Sequence, residues 1–387
     1  MERDELAAWL RLYATPGVGD NTARRLLATF GLPQQIFAQS TAALRTIASP
    51  AQCEALQQEP AQWPEWVETA WHWLNVDTQH RRILTLGDPS YPPSLLNIED
   101  PPLMLYAMGN LPAWDSIGPV ECAARSIAIV GSRNPTAQGA INARQFAHAL
   151  AQAGLTVVSG LALGVDGAAH EGALEGTPSN LLATVAVVGT GLDRVYPRQH
   201  RDLAHRIAEH GLILSEYPLG TPPLAANFPR RNRIIAGLSQ GTLVVEAALQ
   251  SGSLITARLA SEQGKDVFAI PGSIHATQSK GCHALIKQGA KLVESAQDVL
   301  EEWPSASGLS FATNKIAGRA CSTRPSAQNS PENPLLTEMG FDPLGLDAIL
   351  ARTGLDTPTL QARLMELEIE GLVARLPGGL FQRLAHC

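Results

Sequence analysis

The chain of 387 residues is long enough for two or three domains, and its apolar share of 45% can fill a substantial hydrophobic core. A formal net charge of −7 excludes a surface that attracts nucleic acid as a whole, so any nucleic-acid site must be a local positive pocket. The five cysteines form no CxxC pair, which argues against a zinc site and against a disulfide framework. Composition therefore predicts a protein of the reducing cytoplasm without a metal site.

Hydropathy predicts no membrane partner. The first residues, Met1–Glu5, are charged and unlike a secretory signal. The longest apolar run, Leu181–Val188, is far shorter than the ~20 residues that span a bilayer.

Residues 1–75 are predicted to form a small helical domain. A Pro-Gly-x-Gly turn at Pro16–Gly19 precedes the helical stretch Asn21–Phe30. The glycines permit positive φ, and the free N–H groups at the start of the following helix can hold a phosphate. The turn resembles the hairpin of helix-hairpin-helix and SAM-like domains, which implies a DNA contact near Arg24 and Arg25. A plain turn inside a small helical bundle is the alternative.

Three tryptophans fall at helical spacing near the end of this region, at Trp63, Trp66 and Trp73. Such a stripe can stack on bases or pack one domain against another. Packing is the interpretation that the pattern favours, because large aromatic side chains at helical spacing are most often core.

Short apolar runs alternate with helical patterns between residues 80 and 302. The predicted strands are Ser126–Val130, Leu155–Ser159, Leu182–Val188, Leu212–Ser215, Leu243–Val245, Val267–Ile270 and Lys291–Val293. The predicted helices are Thr136–Ala153, Asp166–Leu174, His200–Glu209, Arg231–Leu238, Thr256–Gln263 and His283–Gln288. This alternation predicts βαβ units and hence an α/β domain with a Rossmann-like, doubly wound, mostly parallel sheet.

Small residues and arginines follow the predicted strands, at the carboxyl edge where such sheets bind ligands. The densest group, Phe228–Arg233, places three arginines and one aromatic ring in six residues. Cations hold phosphates, a ring offers a stacking face, and small residues let backbone N–H groups approach a ligand, so this edge suits a nucleotide or a single-stranded nucleic acid. A solvated basic start of a helix is the alternative.

Motifs for common cofactors and catalytic groups are absent from the sequence. No GxGxxG opens the first βα turn and no GxxxxGK[ST] occurs, so neither a dinucleotide cofactor nor a P-loop ATPase is predicted. Asp166 and His170 stand four residues apart on a predicted helix and suggest acid–base chemistry. The interpretation that we favour is a carboxylate at a helix N-terminus and a hydrogen-bonded histidine, with no catalytic residue.

Several motifs stand in a fixed order along this region: Tyr91–Pro93, Asp100–Leu103, Gly109–Asn110, Gly131–Arg133, Ser159–Asp166, Val195–Pro197, Phe228–Ile235, Ser251–Ala257 and Ile270–Gly272. In kind and order they resemble the DNA-processing protein DprA (Smf) family, closely over residues 80–295. The resemblance implies sequence-independent binding and protection of single-stranded DNA, loading of the recombinase RecA during natural transformation, and a homodimer built through the Rossmann-like domain.

The resemblance and the residue chemistry together assign roles at this edge. Arg133 is expected to clamp a phosphate, the three arginines of Phe228–Arg233 to hold neighbouring phosphates, although not all in one pocket, and Phe228 to stack on a base. Ser251, Ser253 and the N–H groups that follow are expected to hold another phosphate. The predicted single-stranded DNA-binding residues are Gly131, Ser132, Arg133, Ser159, Gly160, Phe228, Arg230, Arg231, Asn232, Arg233, Ser251, Gly252, Ser253 and Thr256.

Residues 303–334 turn to Ser, Ala, Asn and Pro and are predicted to be a flexible linker. Residues 335–387 then read as helices followed by a β-hairpin, which predicts a winged helix. Such folds often place a helix in the DNA major groove. Here Glu366, Glu368 and Glu370 crowd that helix and would repel phosphates, so the sequence favours a protein-interaction or regulatory role.

An enzyme is the alternative function. The segment Gly241–Glu246, with Gly131–Arg133 upstream, is also similar to the nucleoside-monophosphate phosphoribohydrolase family, where a PGGxGT turn precedes a catalytic Glu. Here Leu238–Gln240 stands where the double glycine would be, and Glu246 follows an apolar run whose end it can simply cap.

Overall fold

The computed structural model describes residues 1–178, 181–303, 333–376 and 378–384 of the chain. The predicted linker, 303–334, lies almost wholly outside the described residues. The chain begins with the helices α1 (Arg3–Ala14), α2 (Asp20–Phe30), α3 (Pro33–Phe37), α4 (Thr41–Leu44), α5 (Pro50–Gln57) and α6 (Trp63–Val76). None of the helices in the described ranges is long and apolar enough to cross a membrane.

The N-terminal helices pack together and against the sheet that follows them. Trp73 of α6 is buried edge-on against Tyr106 of the sheet, with 5.9 Å between ring centroids. Trp63 donates its indole N–H to the carbonyl oxygen of Ala7, and Trp66 packs against Tyr13. The prediction that the tryptophan stripe serves packing is confirmed.

Nine strands of the described residues form one sheet: β1 (Arg81–Thr85), β2 (Met104–Gly109), β3 (Ser126–Val130), β4 (Thr156–Ser159), β5 (Thr184–Val187), β6 (Leu212–Ser215), β7 (Gly241–Val244), β8 (Asp266–Ala269) and β9 (Lys291–Leu292). Their spatial order is β1-β2-β6-β5-β4-β3-β7-β8-β9. From β6 to β9 every pairing is parallel, whereas β1 and β2 pair antiparallel at one side. The predicted doubly wound, mostly parallel sheet is confirmed.

Strands β1 and β2 were absent from the sequence prediction. β1 opens with two arginines, and no helix of the crossover type joins it to β2, so the alternation that revealed the other strands does not extend to them.

Helices cover both faces of the sheet: α7 (Leu111–Ile117), α8 (Pro119–Ala124), α9 (Ala137–Gln152), α10 (Val165–Gly176), α11 (Arg201–His210), α12 (Asn227–Leu238), α13 (Ser253–Glu262), α14 (Lys280–Lys287) and α15 (Ala296–Leu300). Single 3₁₀ turns lie at Pro93–Asn97, Arg198–His200 and Thr277–Ser279. In β3, Ile127 and Ile129 join one core cluster while Ala128 and Val130 join the other, as expected when both faces are buried.

Helix α12 begins at Asn227, four residues before the predicted start at Arg231. Pro229 therefore lies in the first turn of the helix, where a proline is tolerated because the N–H it lacks has no partner within the helix. Because the helix begins earlier, Phe228 and Arg230 belong to it, and the helix geometry fixes the directions of their side chains.

The C-terminal segment contains α16 (Pro334–Met339), β10 (Leu344–Gly345), α17 (Leu346–Thr353), α18 (Thr357–Ile369), β11 (Val373–Leu376) and β12 (Leu380–Arg383). Its strands form a separate sheet in the order β10-β12-β11. Leu360, Leu364 and Leu367 of α18 are buried in a core of its own. The predicted winged helix is confirmed.

Candidate nucleic-acid interface

The strand order reverses at β3, because β4, β5 and β6 lie on one side of it and β7, β8 and β9 on the other. In doubly wound sheets a crevice opens at such a point, outside the carboxyl ends of the strands. A cavity of about 500 Å³ lies there, between the segments that follow β3 and β7 and the starts of α12 and α13. The predicted site residues that line it are Gly131, Ser132, Arg133, Phe228, Arg231, Asn232, Ser251, Gly252, Ser253 and Thr256.

Phe228 stands at the junction of this cavity with a smaller one of about 190 Å³. The guanidinium carbon of Arg133 lies 5.6 Å from the centre of the Phe228 ring. Tyr196 also packs against the Phe228 ring, with 5.6 Å between centroids and 36° between the ring planes. An aromatic pair and an arginine therefore meet at the rim of the crevice.

Tyr196 belongs to the Val195–Pro197 motif, for which the sequence predicts no contact with DNA. It lies in the loop after β5, its side chain is 47% exposed, and it lines the smaller cavity. The sequence signal for a role of Tyr196 is its position after a predicted strand, since ligands of these sheets bind at strand ends. Only the folded chain places its ring beside Phe228.

Arg231 lies beneath the cavity rather than projecting into solvent. Its side chain is almost completely buried, and its Nη1 donates to the carbonyl oxygen of Val187. Burial lowers the pKa of Arg231, and the nearby carboxylate of Asp166 opposes this shift. Burial likewise raises the pKa of Asp166, which accepts backbone hydrogen bonds from Gly160 and Ala162. Arg231 thus brings positive charge to the floor of the cavity, and Asp166 partly balances it.

Arg230 and Arg233 do not line the cavity, in keeping with the expectation that the three arginines do not all share one pocket. An α-helix has about 3.6 residues per turn, so residues 230 and 233 share a face that points away from Phe228 and Arg231. Arg233 donates to Glu216 at 2.6 Å, and Arg230 pairs with Asp20. The sequence predicted a helix only from Arg231, so the division of Phe228–Arg233 into two helical faces did not follow from it.

Ser159 and Gly160 stand at the carboxyl end of β4, as predicted, but neither lines this cavity. Ser159 is buried within the sheet and donates its hydroxyl to the carbonyl oxygen of Ile129 at 2.7 Å, so it does not line the large cavity. Gly160 lines the smaller cavity, where a Cβ atom would stand 1.8 Å from Nη1 of Arg231. The absence of a side chain at position 160 leaves space for the buried guanidinium of Arg231.

The start of α13 offers a second group of polar atoms. The hydroxyls of Ser251 and Ser253 lie 2.6 Å apart, and the backbone N–H of Ser253 donates to Ser251. Asn232 of α12 donates to the carbonyl oxygen of Gly252 at 3.3 Å, which ties the two helix starts together. Hydroxyls and N–H groups at a helix N-terminus are the usual partners of a phosphate. Here the N–H groups of Leu254 and Ile255 donate to the carbonyl oxygens of Ser251 and Gly252, so the two serine hydroxyls are the groups that a phosphate would meet.

Glu246 is engaged by the protein itself. Its carboxylate accepts hydrogen bonds from the backbone N–H of Thr136 at 2.9 Å and from the Thr136 hydroxyl at 2.6 Å, at the start of α9. Glu246 is not among the residues that line the cavity. The arrangement fits a capping carboxylate at a helix N-terminus.

His170 is fully buried, and its Nδ1 lies 2.7 Å from the hydroxyl of Thr184. Burial lowers the pKa of His170 to about 3. Asp166, near the start of α10, accepts hydrogen bonds from the N–H groups of Gly160 and Ala162 in the preceding loop, so both side chains have hydrogen-bond partners, as the structural interpretation expects.

Two family models match the chain. The model described as DNA recombination-mediator protein A matches residues 82–304, and the model of the DprA winged helix domain matches residues 321–379. The chain is 40% identical to protein Smf of Escherichia coli (strain K12) over 322 residues, which cover 83% of this chain and 82% of that protein. It is 48% identical to DNA processing protein DprA of Streptococcus pneumoniae over 230 residues, covering 59% and 77% of the two chains.

Solved structures of DNA processing proteins also match this chain. The crystal structure of DprA from Streptococcus pneumoniae matches with a TM-score of 0.61 and 37% identity, over 78% of this chain and 98% of that chain. DNA processing protein A from Helicobacter pylori, whose structure is described for its single-stranded DNA binding mode, matches with a TM-score of 0.50 and 32% identity. That match covers 58% of this chain and 96% of the other.

Proposed function

Because this chain belongs to the DprA (Smf) family, we propose that it is a non-enzymatic protein that binds and protects single-stranded DNA. The observation that carries the proposal is the meeting of Arg133 and Phe228, 5.6 Å apart, at the rim of a cavity at the sheet's switch point. One side chain holds a phosphate and the other stacks on a base, which are the two contacts that single-strand binding requires.

The path of the strand follows from these contacts. A base stacks on Phe228, beside Tyr196, and the phosphate next to it pairs with Arg133. A further phosphate lies against Ser251, Ser253 and the N–H groups that begin α13. The relative from Helicobacter pylori, whose structure is described for its single-stranded DNA binding mode, supports single-strand binding as such.

Binding should depend little on sequence. Stacking and phosphate contacts are available from every nucleotide, whereas base identity is read by hydrogen bonds to base edges. The net charge of −7 also supports a local site, since the rest of the surface does not attract DNA.

The proposal extends to partners. We propose that the protein forms a homodimer through its Rossmann-like domain and loads RecA onto the bound strand in the cytoplasm, during natural transformation or homologous recombination. The edge strand β9, with Leu292 45% exposed, supports self-association at that side of the sheet. Light scattering would measure the dimer, and RecA filament assembly on the bound strand would measure loading.

Fluorescence anisotropy of labelled oligo-dT and a matched duplex, titrated at several salt concentrations, tests DNA binding. We expect tight, salt-sensitive binding of the single strand and much weaker binding of the duplex. Arg133→Ala should reduce the salt slope by about 0.7, the value for one phosphate of a single strand. Phe228→Ala should weaken binding by roughly 5- to 150-fold, or about 1–3 kcal/mol, with the slope unchanged.

The exposed arginine Arg45 lies outside the cavity, and Arg45→Ala is the matched control for loss of one positive charge. Unchanged affinity in both Arg133→Ala and Phe228→Ala would show that the strand lies elsewhere. If the protein bound no single strand at low salt, the DNA-binding proposal would fail. Hydrolysis of AMP, and its loss in Glu246→Gln, would then be measured for the enzyme alternative.

A further inference from the structure

Helix α12 carries a second charged surface, on the face that points away from the cavity. We call it the charged latch, because it joins the N-terminal helices to the sheet domain. Three arginines and three carboxylates form it: Asp20, Arg24, Asp100, Glu216, Arg230 and Arg233.

The inner half of the latch fixes α12 to the sheet domain. Arg233 donates from Nη2 to Glu216 Oε2 at 2.6 Å, and its Nε lies 3.4 Å from Asp100 Oδ2. The side chains of Arg233 and Glu216 are only 10% and 6% exposed. Glu216 directly follows β6 and Asp100 lies shortly before β2, so this half is anchored to the sheet.

The outer half reaches the N-terminal helices. Asp20, the first residue of α2, pairs with Arg230, and its side chain is largely buried. From the same helix, Arg24 donates to Asp100 Oδ1 at 2.6 Å and to the carbonyl oxygen of Pro101 at 3.0 Å. Helix α2 therefore closes a network that includes α12, the segment before β2 and the end of β6.

The latch and the cavity lie on opposite faces of one rigid element. Phe228 and Arg231 line the cavity, and Arg230 and Arg233 belong to the latch, within six residues of α12. A shift or rotation of α12 would move both sets together. The position of the stacking ring thus depends on what holds the other face of the helix.

We propose that Asp20, with Asp100 and Glu216, positions α12 for DNA binding, so that the seated N-terminal helices hold Phe228 and Arg231 at the cavity. The inference rests on the proposed single-strand site. It gives Arg230 a different role from the one predicted from sequence, since its guanidinium already lies among three carboxylates and a phosphate would have to displace the buried Asp20.

Asp20→Asn, Arg230→Ala and the double variant test the latch in the full chain. Asp20→Asn keeps the shape of the side chain and removes its charge. Each single variant should weaken oligo-dT binding on the order of tenfold, and the double variant no further, because both changes break the same network. The salt slope should stay at its wild-type value, because no phosphate contact is lost.

Two further measurements separate positioning from general damage. Amide hydrogen exchange of α12 should be faster in Asp20→Asn, because the helix loses its anchor. The control variant is Glu68→Gln, which removes one carboxylate from an exposed ion pair with Arg3, away from the latch. It should change neither DNA affinity nor exchange of α12.

The outcomes distinguish this inference from the proposed function. A salt slope lowered by about 0.7 in Arg230→Ala would make Arg230 a phosphate ligand and overturn the latch. Unchanged DNA affinity in Asp20→Asn, with weaker binding in Arg133→Ala, would also overturn it and leave the DNA-binding site standing. If the wild-type protein bound no single strand, the proposed function would fail, and unchanged exchange of α12 in Asp20→Asn would then reject the latch independently.

Discussion

At the scale of single residues, the candidate site depends on a buried cation and on the space left for it. Arg231 reaches the carbonyl oxygen of Val187 only because position 160 has no side chain. The φ angle of Gly160 is not in the left-handed region, so its glycine is required by space and not by backbone conformation. The charge at the floor of the cavity is thus tied to a residue that need not touch DNA.

Gly160→Ala should therefore displace the Arg231 guanidinium. A Cβ atom 1.8 Å from Nη1 forces the side chain to move, and such overpacking typically costs about 1–3 kcal/mol of stability. We expect a lower unfolding temperature together with weaker binding of oligo-dT. Gly19→Ala is the control, since a Cβ atom there has no neighbour within 4 Å. Wild-type stability and affinity in Gly160→Ala would contradict this account of the cavity floor.

His170 should make stability depend on pH. Its pKa is lowered from 6.5 to about 3, mainly by burial and further by His200 and Arg231. Below pH 6.5 His170 is protonated in the unfolded chain but stays neutral in the folded protein. The free energy of unfolding therefore decreases as pH falls from 6.5 towards 3. Denaturant unfolding should show that His170→Asn removes about 2 kcal/mol of the stability difference between about pH 7.5 and 5. The exposed His72→Gln should leave that difference unchanged.

At the scale of elements, two helix starts and one helix with two faces organise the site. Helix α13 presents its N-terminus to the cavity, whereas the N-terminus of α9 is occupied by the Glu246 carboxylate. The start of α13 thus borders the cavity, with the N–H groups of Ser253, Leu254 and Ile255 bonded to Ser251 and Gly252, whereas the start of α9 is capped by a carboxylate from a distant segment. This difference supports the proposed binding role of Ser251–Ser253 and a structural role for Glu246.

Glu246→Gln should lower stability without changing DNA binding. Removing a negative charge from the start of α9 costs about 0.3–1 kcal/mol, and one of two hydrogen bonds to Thr136 is weakened. Thermal unfolding would measure the first effect, and anisotropy with oligo-dT the absence of the second. Weaker DNA binding with unchanged stability would contradict the capping role.

At the scale of the whole molecule, the C-terminal segment stands out as acidic. Residues 335–387 contain seven acidic and four basic residues, a net charge of −3. On α18, Met365 and Ile369 are 64% and 78% exposed among glutamates. An acidic surface with apolar side chains suits a protein partner better than a phosphate backbone.

Deletion of 333–387 should therefore leave DNA binding intact. We expect the affinities for oligo-dT and for duplex to stay within about twofold of the full chain, because no phosphate contact is removed. Anisotropy at one salt concentration is sufficient to compare the two proteins. A clear loss of duplex binding would show that the winged helix contacts DNA after all.

The sequence by itself determined the class of fold and pointed to the edge of the sheet where the candidate site lies. Apolar runs of strand length, separated by helices, can bury both faces only as a parallel sheet, and small residues with arginines then gather at its carboxyl edge. The order of the motifs between residues 80 and 295 indicated the DprA (Smf) family. The fold and the family could be inferred because both depend on patterns among neighbours along the chain.

Only the tertiary structure decided which side chains share the site. The start of α12 at Asn227 divides Arg230 and Arg233 from Phe228 and Arg231, and Asp20, more than 200 residues earlier in the chain, pairs with the first of them. Tyr196 and Phe228 are likewise far apart in sequence, and their rings pack together only in the folded chain. Helix phase and long-range pairing are set by packing between segments far apart in sequence, and no local pattern contains that information.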